Sequence, residues 1–159
     1  MVSSKHKQKL PFPARICLIL AVGMQAAVIA WMFIHAYNIK AYALAHHTII
    51  RISCTAYDPY DPFKGRYVQL TLSNDDLESA GRTLGLNLHA LSTTACAYYM
   101  QENYARAVDR INWKDFNALE PVLELYVDDK GNAIQKSLLV HADGQELPIE
   151  RYIKNRLIK

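Results

Sequence analysis

The chain has 159 residues, of which 51% are hydrophobic and 21% are charged, a composition typical of a folded protein and unlike that of a disordered one. Its formal charge is +3, but from His46 onward there are 13 Lys and Arg against 15 Asp and Glu. The positive surplus therefore lies near the N-terminus. Because binding to phosphates needs a concentrated basic face, this distribution argues against a nucleic-acid partner.

The first predicted element is a transmembrane helix over residues 16–37, which follows a basic segment at residues 1–15. The run from Ile16 to Ile34 has no charged residue, and its one strongly polar member is Gln25. These 19 residues would span about 28 Å as a helix, close to the hydrocarbon thickness of a bilayer. The bilayer is thus the first predicted partner.

The basic residues around this run predict its orientation. Only two follow it within the next 17 residues, Lys40 and Arg51. Four precede it: Lys5, Lys7, Lys9 and Arg15. The positive-inside rule then places the N-terminus in the cytoplasm and the following domain, periplasmic or extracellular, outside.

A cleaved signal peptide is the alternative interpretation, because Ala43-Leu44-Ala45 has the small-x-small form of a cleavage site. The apolar run is longer than a signal-peptide core, and the site lies about ten residues beyond it, so we favour a retained anchor. Residues 38–47 are predicted to continue the helix as a stalk. His46 and His47 end it, but adjacent histidines do not face the same way, so no metal site is predicted.

Two strands with a proline-rich connection are predicted next. Ile49–Thr55 alternates β-branched and polar residues, and Tyr67–Leu72 alternates in the same way, with its even-numbered residues on one face. Between them, Asp58-Pro59 and Asp61-Pro62 break the strand pattern and Lys64-Gly65 favours a tight turn. The connection and the second strand are therefore specified together.

In this region the chain resembles the family of bacterial membrane-anchored proteins named for its GDYXXLXY motif. The lead-in residues Asp58, Pro59 and Asp61 and the signature residues Gly65, Tyr67 and Leu70 match, and Ile149–Tyr152 is similar to the segment that closes such domains. Arg66 stands where the motif has Asp, and Leu72 where it has the second Tyr. The resemblance implies a location in the bacterial inner (plasma) membrane and a fold type; the family has no established activity.

The predicted functional loop consists of Asp58, Asp61, Lys64, Gly65, Arg66 and Tyr67. Two carboxylates three residues apart, beside two basic residues, can form an acid–base or ion-binding loop, whereas Asp before Pro is also an ordinary turn initiator. We favour the turn. Neither a zinc-ligand spacing, nor a glycine-rich phosphate loop, nor a Gly-x-Ser-x-Gly elbow is present, so we predict no catalytic residue, no metal and no cofactor.

The remainder predicts a helix from Asn74 to Gly85 and a clear hairpin, with strands at Val122–Val127 and Ala133–Val140. Residues 86–112 stay ambiguous, since the segment around Ala95–Met100 fits a strand or a helix. Three tyrosines there could line a ligand groove, although core positions are the commoner role for such residues: Tyr98, Tyr99 and Tyr104.

The last residues, from Leu147 to Lys159, carry the basic side chains Arg151, Lys154, Arg156 and Lys159, which favour a solvated terminal element over a lipid-binding one. Cys54 and Cys96 would both lie outside the cell, and we predict buried thiols in preference to a disulfide.

These patterns together predict an α+β protein, in which one transmembrane helix precedes a small, mainly antiparallel domain at residues 48–159 with one or two short helices. The predicted function is a membrane-anchored accessory or protein-interaction module that pairs with another membrane or envelope protein. The alternative is a periplasmic ligand-binding domain or hydrolase that uses the loop from Asp58 to Arg66.

Overall fold

A computed structural model describes residues 12–57, 67–94, 97–108 and 111–156. The chain divides after Tyr37 into two compact units, and each is described by itself. The helices are α1 (Phe12–His46), α2 (Asn74–Leu84), α3 (Leu91–Thr94), α4 (Glu102–Val108), α5 (Trp113–Asn117) and α6 (Ile149–Arg156). The strands are β1 (Ile49–Tyr57), β2 (Tyr67–Leu72), β3 (Ala97–Tyr99), β4 (Val122–Val127), β5 (Ala133–Ala142) and β6 (Gln145–Pro148).

The helix α1 is long and apolar enough to cross a bilayer. Its candidate span has a mean hydropathy of 2.3, and none of the most apolar window is buried. Apolar residues surround the helix without a polar stripe, which is the pattern of a helix that meets hydrocarbon on all sides. Length and composition therefore make α1 a candidate membrane anchor.

The last turns of α1 belong to the second unit. Ile39 and Ala43 are buried, and because they lie four residues apart they share one face of the helix. The segment predicted as a stalk thus contributes two side chains to the interior of the domain. His46 and His47 beyond them are exposed, and the His46 ring stacks on Tyr42 at 4.1 Å.

The predicted α+β fold is confirmed. The described strands form a curled antiparallel sheet in the order β3-β2-β1-β4-β5-β6. The strand β1 joins its two halves, since Ile49–Ser53 pairs with β4 and Cys54–Tyr57 pairs with β2. The four long strands that were predicted all form, with β2 and β4 at the predicted residues and β1 and β5 each two residues longer.

One face of the sheet and all five short helices of the described domain enclose the core. As predicted, Val68, Leu70 and Leu72 of β2 share one face, and in the structure this face points to the core. Fully buried side chains at the centre of the core are Ile52, Leu123, Leu125, Val127, Leu138, Val140, Ile149 and Ile153. At about 25 cal/mol per Å² of apolar surface, this burial is the main stabilising contribution in the domain.

A β-bulge in the β4–β5 hairpin changes which side chains of β5 face the core. Glu124 pairs with Ser137 and Leu125 with Gln135, so Lys136 has no partner in the ladder. Without this extra residue, Lys136 would take the core-facing position that Gln135 occupies. Instead, the Lys136 ammonium pairs with the Glu124 carboxylate at 2.9 Å.

The helix α2 begins and ends with identifiable caps. The Ser73 hydroxyl accepts a hydrogen bond from the Asp76 N–H at 3.3 Å, one residue before the predicted start. At the other end Gly85 adopts φ = 68°, and the Leu86 N–H donates to the Gly81 carbonyl at 2.9 Å. This is a Schellman ending, which needs a residue that tolerates the left-handed conformation.

The described domain has five short helices, where one or two were expected. Three of them, α3, α4 and α5, are only four to seven residues long, so each is too short to show a helical period in the sequence. Tertiary packing stabilises them: Leu91, Ala107 and Phe116 are buried in the main core.

Candidate functional site

Most of the predicted functional loop lies outside the described residues, namely Asp58, Asp61, Lys64, Gly65 and Arg66. The structure does describe the two strands that the loop connects. Tyr57, the last residue of β1, is paired with Gln69 of β2, so the two strands run antiparallel beside each other. Tyr67, the sixth residue of the predicted site, is the first residue of β2.

Tyr67 forms an aromatic pair with Tyr99 of β3. The two residues are directly opposite in the ladder, and their ring centroids are 5.6 Å apart with an interplanar angle of 45°. This tilted arrangement is favourable for two aromatic rings. Tyr99 is 68% exposed, whereas Tyr67 is half-buried. The tyrosine pair therefore presents aromatic surface to solvent at the edge of the sheet where the loop ends.

The neighbouring residue Tyr98 anchors this edge to the rest of the domain. It is buried on the core face, and its hydroxyl donates to the Glu150 carboxylate of α6 at 2.7 Å. Burial and this hydrogen bond both raise the pKa of the Tyr98 phenol. Tyr98 thus remains neutral at physiological pH and acts as a donor.

Gln135 makes a second link to the same edge. Its side-chain amide donates to the Ala97 carbonyl of β3 at 2.7 Å, although β3 and β5 are not neighbours in the strand order. The sheet curls far enough to bring these strands together. The bulge at Lys136 turns the Gln135 side chain toward β3. The two links hold the strand that carries Tyr99.

The three tyrosines considered for a groove do not line one surface. Tyr98 and Tyr99 are consecutive in a strand, so their side chains point to opposite faces. Tyr98 is part of the core and Tyr104 packs against it. Their roles are therefore different: Tyr98 is buried, Tyr104 is half-buried and Tyr99 is exposed.

A groove that the sequence did not predict lies beside the C-terminal end of α2. It has a volume of about 520 Å³ and is lined by Leu77, Gly81, Arg82, Leu88 and His89, among others. Gly81 lets the backbone at Leu86 pass close to α2 beside this groove, because a Cβ there would lie 2.7 Å from the Leu86 carbonyl oxygen. The described lining contains no serine, threonine, cysteine or lysine, so it offers no side-chain nucleophile of the usual types.

Cys54 is a buried, free thiol. Its Sγ donates to the Pro121 carbonyl at 3.3 Å, and burial raises its pKa from 9.0 to about 12. Such a thiol is unreactive at neutral pH, since the thiolate is the nucleophilic form. Cys96, with which a disulfide was weighed, lies outside the described residues.

The basic residues of α6 lie on its exposed side, with Ile149 and Ile153 buried on the other. Arg156 forms an ion pair with Asp143, and this carboxylate raises the pKa of the guanidinium. Lys159 lies outside the described residues. In the part of the chain that the structure describes, no group of three or more His, Cys, Asp or Glu side chains could hold a metal ion.

Comparison of the chain with models of protein families, with curated proteins and with solved structures finds no match. The described residues therefore offer three features: a candidate anchor helix, a tyrosine pair whose Tyr99 ring is exposed, and an open groove beside α2. Aromatic surface held on a fixed strand is suited to contact with another molecule.

Proposed function

We propose that this chain is a single-pass membrane protein that acts as an accessory or interaction module without catalytic activity of its own. The observation that carries the proposal is α1, in which the apolar residues from Ile16 to Ile34 are exposed on every side. In water this surface would aggregate, whereas a bilayer solvates it. A protein partner then meets the domain at the membrane.

The orientation follows from charge. The four basic residues before the apolar run stay in the cytoplasm, and the domain is periplasmic or extracellular. Together with the resemblance to the GDYXXLXY family, carried by the Asp58-Pro59 lead-in and the Gly65, Tyr67 and Leu70 positions, this charge distribution supports a location in the bacterial inner (plasma) membrane. This resemblance rests on short sequence motifs alone, since no family model matches.

The partner is another membrane or envelope protein, and the tyrosine pair is its contact surface. Tyrosine is enriched at protein interfaces because it buries a large, rigid ring and retains a polar hydroxyl. Tyr99 is exposed, and the strand that carries it is tied to the domain through Tyr98 and Gln135. A surface held in place loses little conformational freedom on binding.

The test is purification of the tagged full-length protein in a mild detergent, with identification of every co-purifying chain and the mass of the particle. We expect a stoichiometric membrane or envelope protein. The substitution Tyr99→Ala should reduce its yield at least tenfold, as expected for a central aromatic contact. Trp113→Ala is the matched control, because Trp113 is also an exposed aromatic residue of the domain, 48% accessible, and lies outside the tyrosine pair.

The alternative function, a ligand-binding domain or hydrolase, uses the loop that Tyr67 ends. The contact between Tyr67 and the exposed Tyr99 ring favours this alternative. A ligand held by the neighbouring loop residues Asp58, Asp61, Lys64 or Arg66 would have an aromatic side chain available at the end of the loop. The double substitution of Asp58 and Asp61 by alanine decides between them. Unchanged partner yield and unfolding supports the accessory function, whereas loss of a small-molecule ligand from an equally stable protein supports the alternative.

A further inference from the structure

Gln25 is the polar residue of α1 at the centre of the apolar run. It lies nine residues from Ile16 and nine from Ile34, so about 14 Å of helix separates it from either end. Its side chain is too short to reach either interface from there. The helix backbone satisfies its own hydrogen bonds and lipid tails offer none, so the amide of Gln25 needs a partner inside the bilayer.

The two sides of α1 at this depth differ in character. Residues three, four and seven positions from Gln25 share its side of the helix, which we call the Gln25 face: Leu18, Ala21, Val22, Gln25, Val28, Ile29 and Met32. The opposite side carries Gly23, Ala27 and Ala30, the small-residue face. Every residue of both faces is exposed, and apart from its chain neighbours and the helix backbone no atom lies within 4 Å of the position that a Cβ on Gly23 would take.

A second copy of this chain can supply the hydrogen-bond partners that the Gln25 amide needs. A primary amide both donates and accepts, so two of them can form reciprocal hydrogen bonds across a twofold axis. Every copy inserts in the same orientation, because the same flanking charges direct it, and therefore presents Gln25 at the same depth. Ala21, one turn away on the same face, permits the close approach that such bonds require.

We propose that a second copy of this chain covers the Gln25 face, in a parallel dimer whose two Gln25 amides bond to each other within the bilayer. This inference rests on the proposed membrane-spanning function. It leaves the tyrosine pair and the small-residue face available to a different protein, so dimer formation and partner binding use separate surfaces.

Disulfide crosslinking of the full-length protein in native membranes tests the arrangement. In a Cys17→Ser background, Met32→Cys places a thiol on the Gln25 face, whereas Ala30→Cys places one at nearly the same depth on the opposite face. With copper phenanthroline as the oxidant, we expect a dimer from Met32→Cys and none from Ala30→Cys. The Cys17→Ser protein alone is the blank that accounts for Cys54 and Cys96.

Adding Gln25→Leu to the Met32→Cys protein should reduce the dimer about tenfold, the loss expected for one or two interhelical hydrogen bonds. Gln25→Asn should restore most of it, because the amide is retained. Equal crosslinking from both faces, a crosslink from Ala30→Cys only, a crosslink to a different chain, or insensitivity to Gln25→Leu would each overturn the dimer.

Extraction of the same membranes with alkaline carbonate separates the two proposals. A protein that stays in the membrane but gives no Met32→Cys dimer overturns the inference and leaves the proposed anchoring intact. A protein that carbonate releases overturns both. The Gln25→Leu protein should remain in the membrane, because the substitution makes the span more apolar.

Discussion

The apolar residues from Ile16 to Ile34 of α1 and those on the core face of the sheet are alike in kind and opposite in environment. Ile19 in α1 is 70% exposed, whereas Ile52 in β1 is fully buried. The pattern around each residue explains the difference: α1 is apolar on all sides, and the strands alternate so that one face alone is apolar. Side chains of the same kind therefore stabilise the domain by packing and make α1 a candidate membrane anchor.

The largest effect expected from this comparison comes from shortening a leucine in each region. Leu125 of β4 is fully buried, whereas Leu20 of α1 is 67% exposed. Leu125→Ala should lower the free energy of unfolding of the domain by about 2 to 5 kcal/mol, through lost burial and a cavity. Urea unfolding of the full-length protein in detergent micelles, followed by near-ultraviolet circular dichroism, measures it.

Leu20→Ala is the matched control and should leave that transition unchanged, because Leu20 belongs to the other compact unit and its side chain is exposed there. A comparable loss in both variants would mean that residues of the apolar run from Ile16 to Ile34 contribute to the folding of the domain, and the contrast between the two regions would then be false.

The helical glycines give a second contrast of the same form. A Cβ added to Gly81 would lie 2.7 Å from the Leu86 carbonyl oxygen, whereas one added to Gly23 would meet nothing within 4 Å. Gly81→Ala should destabilise the domain by about 1 to 3 kcal/mol, the usual effect of overpacking, since backbone must move. Gly23→Ala should leave the midpoint of thermal unfolding unchanged. An unchanged midpoint for Gly81→Ala as well would show that residues 86–89 shift freely.

Strong local patterns made much of the fold predictable. The hairpin of β4 and β5 alternates clearly on both sides of a turn, and the Asp128 carboxylate fixes that turn by accepting from the backbone N–H groups of Lys130 and Asn132 at 2.9 and 2.8 Å. The strand β2 has the same alternation, and α2 has recognisable caps. Each of these elements carries its signal within a few consecutive residues.

Other features depend on contacts between residues far apart in sequence. The bulge at Lys136 has no local signature, yet it turns Gln135 toward Ala97, 38 residues away. The Tyr98 hydroxyl meets Glu150 across 52 residues. These contacts determine that Tyr98 lies in the core and Tyr99 on the surface. For the same reason, the short helices α3 and α5 and the groove beside α2 were not predicted.

A third contrast concerns the two cysteines that the structure describes, Cys17 and Cys54, and how alkaline pH changes the stability of the domain. Burial raises the pKa of Cys54 from 9.0 to about 12, so the folded domain holds the proton that the unfolded chain loses. This contribution is complete below pH 9 and declines as the pH rises toward 12. At pH 10, one pH unit above the unfolded value, the domain should have lost about 1.4 kcal/mol relative to pH 8 from this group.

The measurement is urea unfolding at pH 8 and pH 10 for three proteins. Cys54→Val, similar in size and unable to ionise, should show a smaller loss than the parent protein, whereas Cys17→Ser in α1 should behave as the parent does. If Cys54→Val and the parent lost equal stability, ionisation of Cys54 would not contribute to the alkaline decline.

The smallest effect concerns two tyrosine hydroxyls. The Tyr98 hydroxyl donates to Glu150, whereas Tyr37 in α1 is 71% exposed. Tyr98→Phe keeps the buried ring and removes one hydrogen bond, so the free energy of unfolding of the domain should fall by about 1 kcal/mol. Tyr37→Phe should leave it unchanged.

Hydrogen exchange of the Tyr99 N–H tests the mechanism more directly. Faster exchange in Tyr98→Phe than in the parent would show that the link to α6 holds the strand that carries the exposed ring. Unchanged exchange would assign that role to Gln135 alone, and the tyrosine pair would then owe its position to the curl of the sheet.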